Sequence, residues 1–240
     1  MERSLVQRLV AELVGTFALI FVGVASILAA GVAPGAGLIT VALAHGLTIA
    51  VMVTAVGHIS GGHFNPAVTF GALVTGNISV RDAAAYIATQ LAGGILGALT
   101  IRVAFPSSLW QQGALGTPTV APGIAPGQAV IIEAVLTFFL VWVVFATAVD
   151  PEGAFAKVAG MAIGFTIALD IMAGGPFTGA SMNPARTLGP AVAGGPWAGH
   201  WVYWVGPLLG GAAAAALYDL TMLRRRDRRQ VAAEELGADR

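Results

Sequence analysis

Six long apolar stretches divide the chain, and each contains few charged residues. They cover approximately residues 10–30, 38–57, 83–104, 128–149, 156–174 and 201–222. About 20 consecutive apolar residues are enough for an α-helix to cross the hydrocarbon core of a bilayer. The pattern therefore predicts an all-α membrane protein with six transmembrane helices.

Two shorter apolar runs interrupt this pattern, and each follows a glycine-containing polar segment that ends in Asn-Pro. The two segments are Ser-Gly-Gly-His-Phe-Asn-Pro-Ala-Val-Thr at 60–69 and Thr-Gly-Ala-Ser-Met-Asn-Pro-Ala-Arg-Thr at 178–187. Asparagine suits a helix N-cap, and proline suits the first helical position. Because each run has only about ten residues, its helix would be roughly 15 Å long, half of a bilayer core. The sequence thus predicts two re-entrant half-helices.

The two halves of the chain repeat each other at a nearly constant spacing. Matching pairs lie 121, 118 and 117 residues apart: Glu12 with Glu133, Asn65 with Asn183, and Tyr86 with Tyr203. Each repeat holds three spans, an odd number, so the second copy is inverted in the membrane, as in proteins whose working site lies near the midplane. We expect the half-helices to enter from opposite sides, with Asn65 and Asn183 facing each other at the centre.

This repeat defines the predicted domain organisation. A single channel-like domain covers 1–223, with repeat one at 1–105, a connector at 106–126 and repeat two at 127–223. The Pro/Gly-rich connector is expected to be a surface loop on the outer face, and 224–240 is expected to be a charged cytoplasmic tail.

Composition and charge agree with a multi-pass membrane protein. Hydrophobic residues make up 57% of the chain and charged residues only 10%, whereas soluble domains are about 25% charged. Twelve basic and twelve acidic residues cancel, so no nucleic-acid partner is expected. The basic residues fall on one side of the predicted topology: Arg3, Arg8, Arg81, Lys157, Arg224, Arg225, Arg226, Arg228 and Arg229. The positive-inside rule then predicts cytoplasmic termini, in a cell (plasma or inner) membrane.

The central segments carry the candidate chemistry. Irregular backbone at membrane depth is tolerated where it lines water or is buried in protein. Its carbonyls could therefore accept hydrogen bonds from a file of water molecules, and the candidate positions are Gly61, Gly62, His63, Gly179 and Ser181. The amides of Asn65 and Asn183 add donors, and two helix N-termini add partial positive charge that opposes cations and protons.

These residues resemble the aquaporin (major intrinsic protein) family. The resemblance covers nearly the whole chain except about the last fifteen residues. It is carried by two glutamates and two Asn-Pro-Ala boxes, namely Glu12, Glu133, Asn65-Pro66-Ala67 and Asn183-Pro184-Ala185, followed by Arg186. It implies an aquaporin-like fold, a passive water channel in the lipid bilayer, a homotetramer with one pore per protomer, and no cofactor or metal.

The resemblance also implies an outer selectivity filter, built from His45, Ile171, Ala180 and Arg186. This set is similar to that of ammonia-permeable aquaporins, so the expected permeants are water, ammonia and other small neutral solutes. A glycerol facilitator is the nearest alternative. It is disfavoured because Thr187 follows Arg186 where that branch typically has Asp.

Ionisable residues inside predicted spans need a role, because charge is costly in the membrane. Glu12 and Glu133 are expected to accept backbone N–H groups and so anchor the re-entrant loops. A proton-coupled secondary transporter, in which they carry the proton, is the alternative from another class. For Asp170 two interpretations stay open: it faces the pore mouth, or it caps a neighbouring loop. No nucleophile–base pair or metal-ligand set can be assembled, so no enzyme is predicted.

Overall fold

The computed structural model describes residues 3–33, 35–153 and 158–223, and over these residues the chain is α-helical with short connections. The helices are α1 (Leu5–Val32), α2 (Leu38–Ser60), α3 (Pro66–Val74), α4 (Val80–Ala104), α5 (Ser107–Gln112), α6 (Pro126–Val144), α7 (Ala159–Thr178), α8 (Pro184–Val192) and α9 (Val202–Tyr218). Helices α6 and α9 each continue into a π-helical turn, at Phe145–Val149 and Asp219–Leu223.

Six helices in the described part are long and apolar enough to cross a membrane. They are α1, α2, α4, α7, and α6 and α9 with their π-helical turns. The prediction of an all-α protein with six spans is therefore confirmed. The first span begins at Leu5 rather than near residue 10, because Ser4 and Gln7 form a capping box that extends α1 beyond its apolar stretch. The predicted tail at 224–240 and the basic residue Lys157 lie outside the described residues.

The two Asn-Pro segments each begin a helix of nine residues. Asn65 accepts the Ala67 N–H at 2.8 Å, and Asn183 accepts the Ala185 N–H at 2.9 Å. Proline follows each cap at the first helical position, where its missing N–H costs no hydrogen bond. At 1.5 Å per residue each helix is about 14 Å long, so neither could span a bilayer alone.

The long helices pack through glycine at their closest approaches. Helix α1 packs on α4, α6 packs on α9, and α2 packs on α7 across the two repeats. At the α2–α7 contact, Gly46 and Gly164 face each other, and a Cβ on either would overlap the other's carbonyl oxygen. Small residues at such positions let helix backbones approach closely in membranes.

The connector differs from the surface loop that its composition predicts. Part of it folds inward at the face opposite the N-terminus: Leu115 is only 1% exposed, and Gly116 is buried. Both have a positive φ, 52° and 64°, which reverses the chain direction here. Gly116 packs against Val24 and Ile27 of α1. A high content of proline and glycine predicts turns, but it does not distinguish a loop that stays outside from one that folds back.

Candidate pore and selectivity filter

The two re-entrant segments meet tip to tip through a reciprocal pair of hydrogen bonds. The Asn65 side-chain amide donates to the Met182 carbonyl at 2.8 Å, and the Asn183 amide donates to the Phe64 carbonyl at 2.9 Å. Both asparagines are 4% exposed. Each cap therefore binds its own helix through Oδ1 and the opposite segment through Nδ2.

Phe64 and Met182 complete this junction, and the sequence interpretation did not single them out. Their φ angles are 48° and 53°, a left-handed conformation that costs roughly 1–2 kcal/mol in residues other than glycine. Each precedes its asparagine and offers its carbonyl to the opposite segment. Only their matching place in the two repeats could have drawn attention to them.

Glu12 holds the first re-entrant segment from a fully buried position on α1. Its Oε1 accepts the Ser60 hydroxyl at 2.7 Å and the His63 N–H at 3.0 Å. Its Oε2 accepts the Phe64 N–H at 2.7 Å and the Gln90 side-chain amide at 2.8 Å. Four donors therefore satisfy one buried carboxylate.

Glu133 holds the second segment in the same manner, with one donor fewer. Its Oε1 accepts the Thr178 hydroxyl at 2.7 Å and the Ser181 N–H at 2.9 Å, and its Oε2 accepts the Met182 N–H at 2.7 Å. Pro207 occupies the place in α9 that corresponds to the glutamine of the first repeat, and proline has no side-chain donor. The repeats therefore differ in the number of hydrogen bonds that each buried carboxylate accepts.

A narrow cavity runs past the junction. Its water-accessible volume is about 30 Å³, and one water needs about 10–15 Å³ of such space, so this part of the passage holds about two or three water molecules. One wall is polar and comes from the two re-entrant segments, namely Gly62, His63, Phe64, Asn65, Ala180, Ser181, Met182 and Asn183. The facing walls are mostly aliphatic and include Leu19, Ile49, Leu140, Val144, Ile163 and Ile167.

The four predicted filter residues all border this cavity, and all are at most 6% exposed. The His45 Nδ1 lies 2.8 Å from the Val41 carbonyl oxygen. Since a carbonyl only accepts, Nδ1 carries the proton, which leaves Nε2 as an acceptor. Arg186 donates from Nη1 to the Gly116 carbonyl at 3.1 Å, its one side-chain hydrogen bond to the described residues. The inward fold of the connector thus supplies the partner of this arginine.

Three predicted positions stand apart from the cavity. Gly61 borders a separate vestibule toward the N-terminal face, and Gly179 lies against Pro118 of the connector. Asp170 is 6% exposed and does not line the cavity, and its Oδ2 has no hydrogen-bond partner among the described residues. Asp170 therefore does not border this cavity, and no N–H of the described residues donates to its Oδ2.

An inverted pair of half-helices that meet beside a narrow, largely apolar passage defines a membrane channel. The comparisons with known proteins give the family. The model described as "Major intrinsic protein" matches residues 1–218. The chain therefore belongs to the major intrinsic protein, or aquaporin, family, whose members are channels rather than enzymes.

Individual relatives agree with this assignment. Aquaporin TIP1-2 of Zea mays is 46% identical over 229 residues, which cover 92% of this chain and 88% of the relative. Probable aquaporin TIP3-2 of Arabidopsis thaliana is 44% identical over 225 residues, which cover 89% and 82%. The X-ray structure of the aquaglyceroporin from Plasmodium falciparum matches with a TM-score of 0.83 over 93% of this chain and 99% of that chain. Its sequence identity is 24%, so this likeness bears on the fold alone.

Proposed function

We propose that this protein is a passive channel that conducts water and ammonia and excludes protons and ions. The observation that carries the proposal is the reciprocal bonding of Asn65 and Asn183 across the passage. Each amide has two N–H groups and spends one on the opposite segment, so one donor per asparagine remains for a molecule in the passage.

Two donors at one point account for proton exclusion. A water that accepts from Asn65 and Asn183 uses both lone pairs, so it cannot accept a proton from the next water in the file. The N-termini of α3 and α8 also meet here, and each adds a charge of about +0.5. Protons and cations therefore meet an electrostatic barrier, whereas neutral molecules do not.

The filter residues support ammonia as a second permeant. Ile171 and Ala180 give the ring apolar and small side chains, which reduce the advantage that water has over a less polar molecule of similar size. His45 adds a polar ring to the filter, and the Arg186 guanidinium can donate to the lone pair of ammonia. A glycerol facilitator is the second candidate because the family includes such channels, and it is disfavoured because Thr187 follows Arg186 where that branch typically has Asp.

Stopped-flow measurements on proteoliposomes test this function. We expect water and ammonia permeabilities well above those of empty vesicles, with no proton flux under an imposed membrane potential. Glycerol measured in the same vesicles tests the alternative. Ammonia uptake no faster than in empty vesicles would remove ammonia from the proposal, and proton flux would contradict the exclusion mechanism.

We further infer that the protein is a homotetramer in a cell membrane, with both termini in the cytoplasm. The positions of Arg3, Arg8 and Arg81 near the N-terminal face support this orientation. Large apolar side chains exposed on α1, α2, α6 and α7, among them Val10, Leu47 and Phe165, suit contact with lipid or with neighbouring protomers. Cross-linking in the native membrane and reporter fusions at each terminus test these two inferences.

A further inference from the structure

The filter histidine lies against a glycine of the neighbouring helix. Gly23 of α1 is buried, and the edge of the His45 ring that carries Nε2 packs on it. A Cβ added to Gly23 would stand 2.8 Å from both Cδ2 and Cε1 of the ring, and nearer still to Nε2. Carbon atoms in ordinary contact are about 3.5–4.0 Å apart, so a residue larger than glycine would have to displace the ring by about 1 Å.

The direction of that displacement follows from how the ring is held. The His45 Nδ1 donates to the Val41 carbonyl of its own helix. This hydrogen bond holds the ring at the nitrogen nearer to Cβ. Helix α1 stands on the far side, and the Gly23 carbonyl accepts the Ser26 hydroxyl at 2.7 Å. The open space next to the ring is the cavity that His45 itself borders. A displaced ring would therefore move into the passage.

We propose that Gly23 sets the width of the selectivity filter, because the absence of its side chain lets His45 withdraw from the passage. Gly23 is thus a specificity-determining residue that never touches the permeant. A ring moved by about 1 Å narrows the passage. This narrowing should lower the permeability of large solutes more than that of small ones. This inference rests on the channel function proposed above.

The test compares Gly23→Ala with Gly31→Ala. Gly31 lies in the same helix, and a Cβ there would meet nothing within 4 Å. Permeabilities are measured in proteoliposomes for water, ammonia, hydrogen peroxide and glycerol. For the largest solute that the unsubstituted protein conducts, we expect Gly23→Ala to lower the ratio of solute to water permeability by about tenfold or more, as overpacking costs of this size imply. Gly31→Ala should leave the ratio unchanged.

A double substitution separates the ring from the helix. In a His45→Ala protein no ring remains to be displaced, so Gly23→Ala should have no further effect on the ratio. An equal loss in that background would mean that Gly23→Ala acts by moving α1, which overturns the inference. Equal ratios for Gly23→Ala and Gly31→Ala also overturn it. Water permeability of the unsubstituted protein no greater than that of empty vesicles would instead overturn the proposed function.

Discussion

Arg186 is a buried cation with no carboxylate oxygen within salt-bridge distance among the described residues. Among the described residues its side chain makes one hydrogen bond, to the Gly116 carbonyl, and the residue borders the passage. Burying a charge is expensive unless it is paired and hydrogen-bonded. Such an arrangement is understandable if water or another permeant satisfies the remaining donors, and if the charge itself is needed to repel cations.

Replacing this charge should therefore weaken selectivity. In Arg186→Val we expect proton or cation flux to rise by about tenfold or more, because two unit charges 4 Å apart interact by about 4 kcal/mol at an effective dielectric constant of 20, and 1.4 kcal/mol already gives tenfold. Proton flux is measured in proteoliposomes under a potassium diffusion potential. Arg186→Lys keeps the charge and should keep the exclusion. Unchanged exclusion in Arg186→Val would remove Arg186 from this role.

The sequence revealed the polar side chains of the site better than the backbone that positions them. The Asn-Pro caps follow from the preference of asparagine for the N-cap and of proline for the first helical position. The buried glutamates were recognisable because a charged residue inside a span is costly and therefore indicates a role. The left-handed conformations of Phe64 and Met182 were not predictable, because large apolar residues rarely adopt them. Gln90 was missed because only the fold shows that its amide reaches Glu12 and Thr69.

The re-entrant segments are elements without internal regular structure, so their anchors decide their shape. In both repeats a tyrosine also holds the end of the preceding span: Tyr86 donates to the Ser60 carbonyl at 2.9 Å, and Tyr203 to the Thr178 carbonyl at 2.8 Å. The carboxylates differ, with four donors on Glu12 and three on Glu133. This difference predicts unequal tolerance of substitution.

Glutamine at either anchor should destabilise the protein, and more so at Glu12. An amide nitrogen would replace one acceptor oxygen. In Glu12→Gln the loss of either oxygen leaves a backbone N–H unpaired, that of His63 or of Phe64, and also forces the Ser60 hydroxyl or the Gln90 amide to turn its oxygen toward the new N–H. In Glu133→Gln the loss can be confined to the Met182 N–H. Each unpaired buried donor costs about 1–3 kcal/mol. Thermal unfolding of the purified proteins in one detergent should rank the unsubstituted protein first, Glu133→Gln second and Glu12→Gln last. The reverse order would show that the donor count does not govern stability.

The helices themselves followed from apolar length, whereas the connector did not. The span limits agree to within about five residues, and the deviations lie at caps such as Ser4. For the connector, the turn residues were evident but the burial of Leu115 and Gly116 was not. Loop composition reports local conformation, whereas this inward fold depends on contacts with Val24 and Ile27, which are distant in sequence.

On the scale of the whole molecule, the two repeats are joined too closely to act as the halves of a carrier. An inverted-repeat transporter alternates by moving one repeat or bundle against the other. Here the Asn65 and Asn183 amides bond across the repeats at the centre. Helices α2 and α7 also meet through Gly46 and Gly164 at backbone distance. Rocking would break buried hydrogen bonds inside the membrane, where no bulk water replaces them.

Flux through this protein should therefore behave as channel flux. We expect water and ammonia permeation to have a low activation energy, to rise in proportion to the gradient without saturation, and to be unaffected by an imposed proton gradient. A carrier would saturate, because each cycle moves a bound solute, and a proton-coupled one would dissipate the proton gradient as solute crosses. Stopped-flow rates measured over a range of temperature and solute concentration, with a pH-sensitive dye inside the vesicles, distinguish the two. Saturation together with stoichiometric proton movement would give Glu12 and Glu133 a coupling role, and the hydrogen bonds that fix the re-entrant segments would then have to open in every cycle.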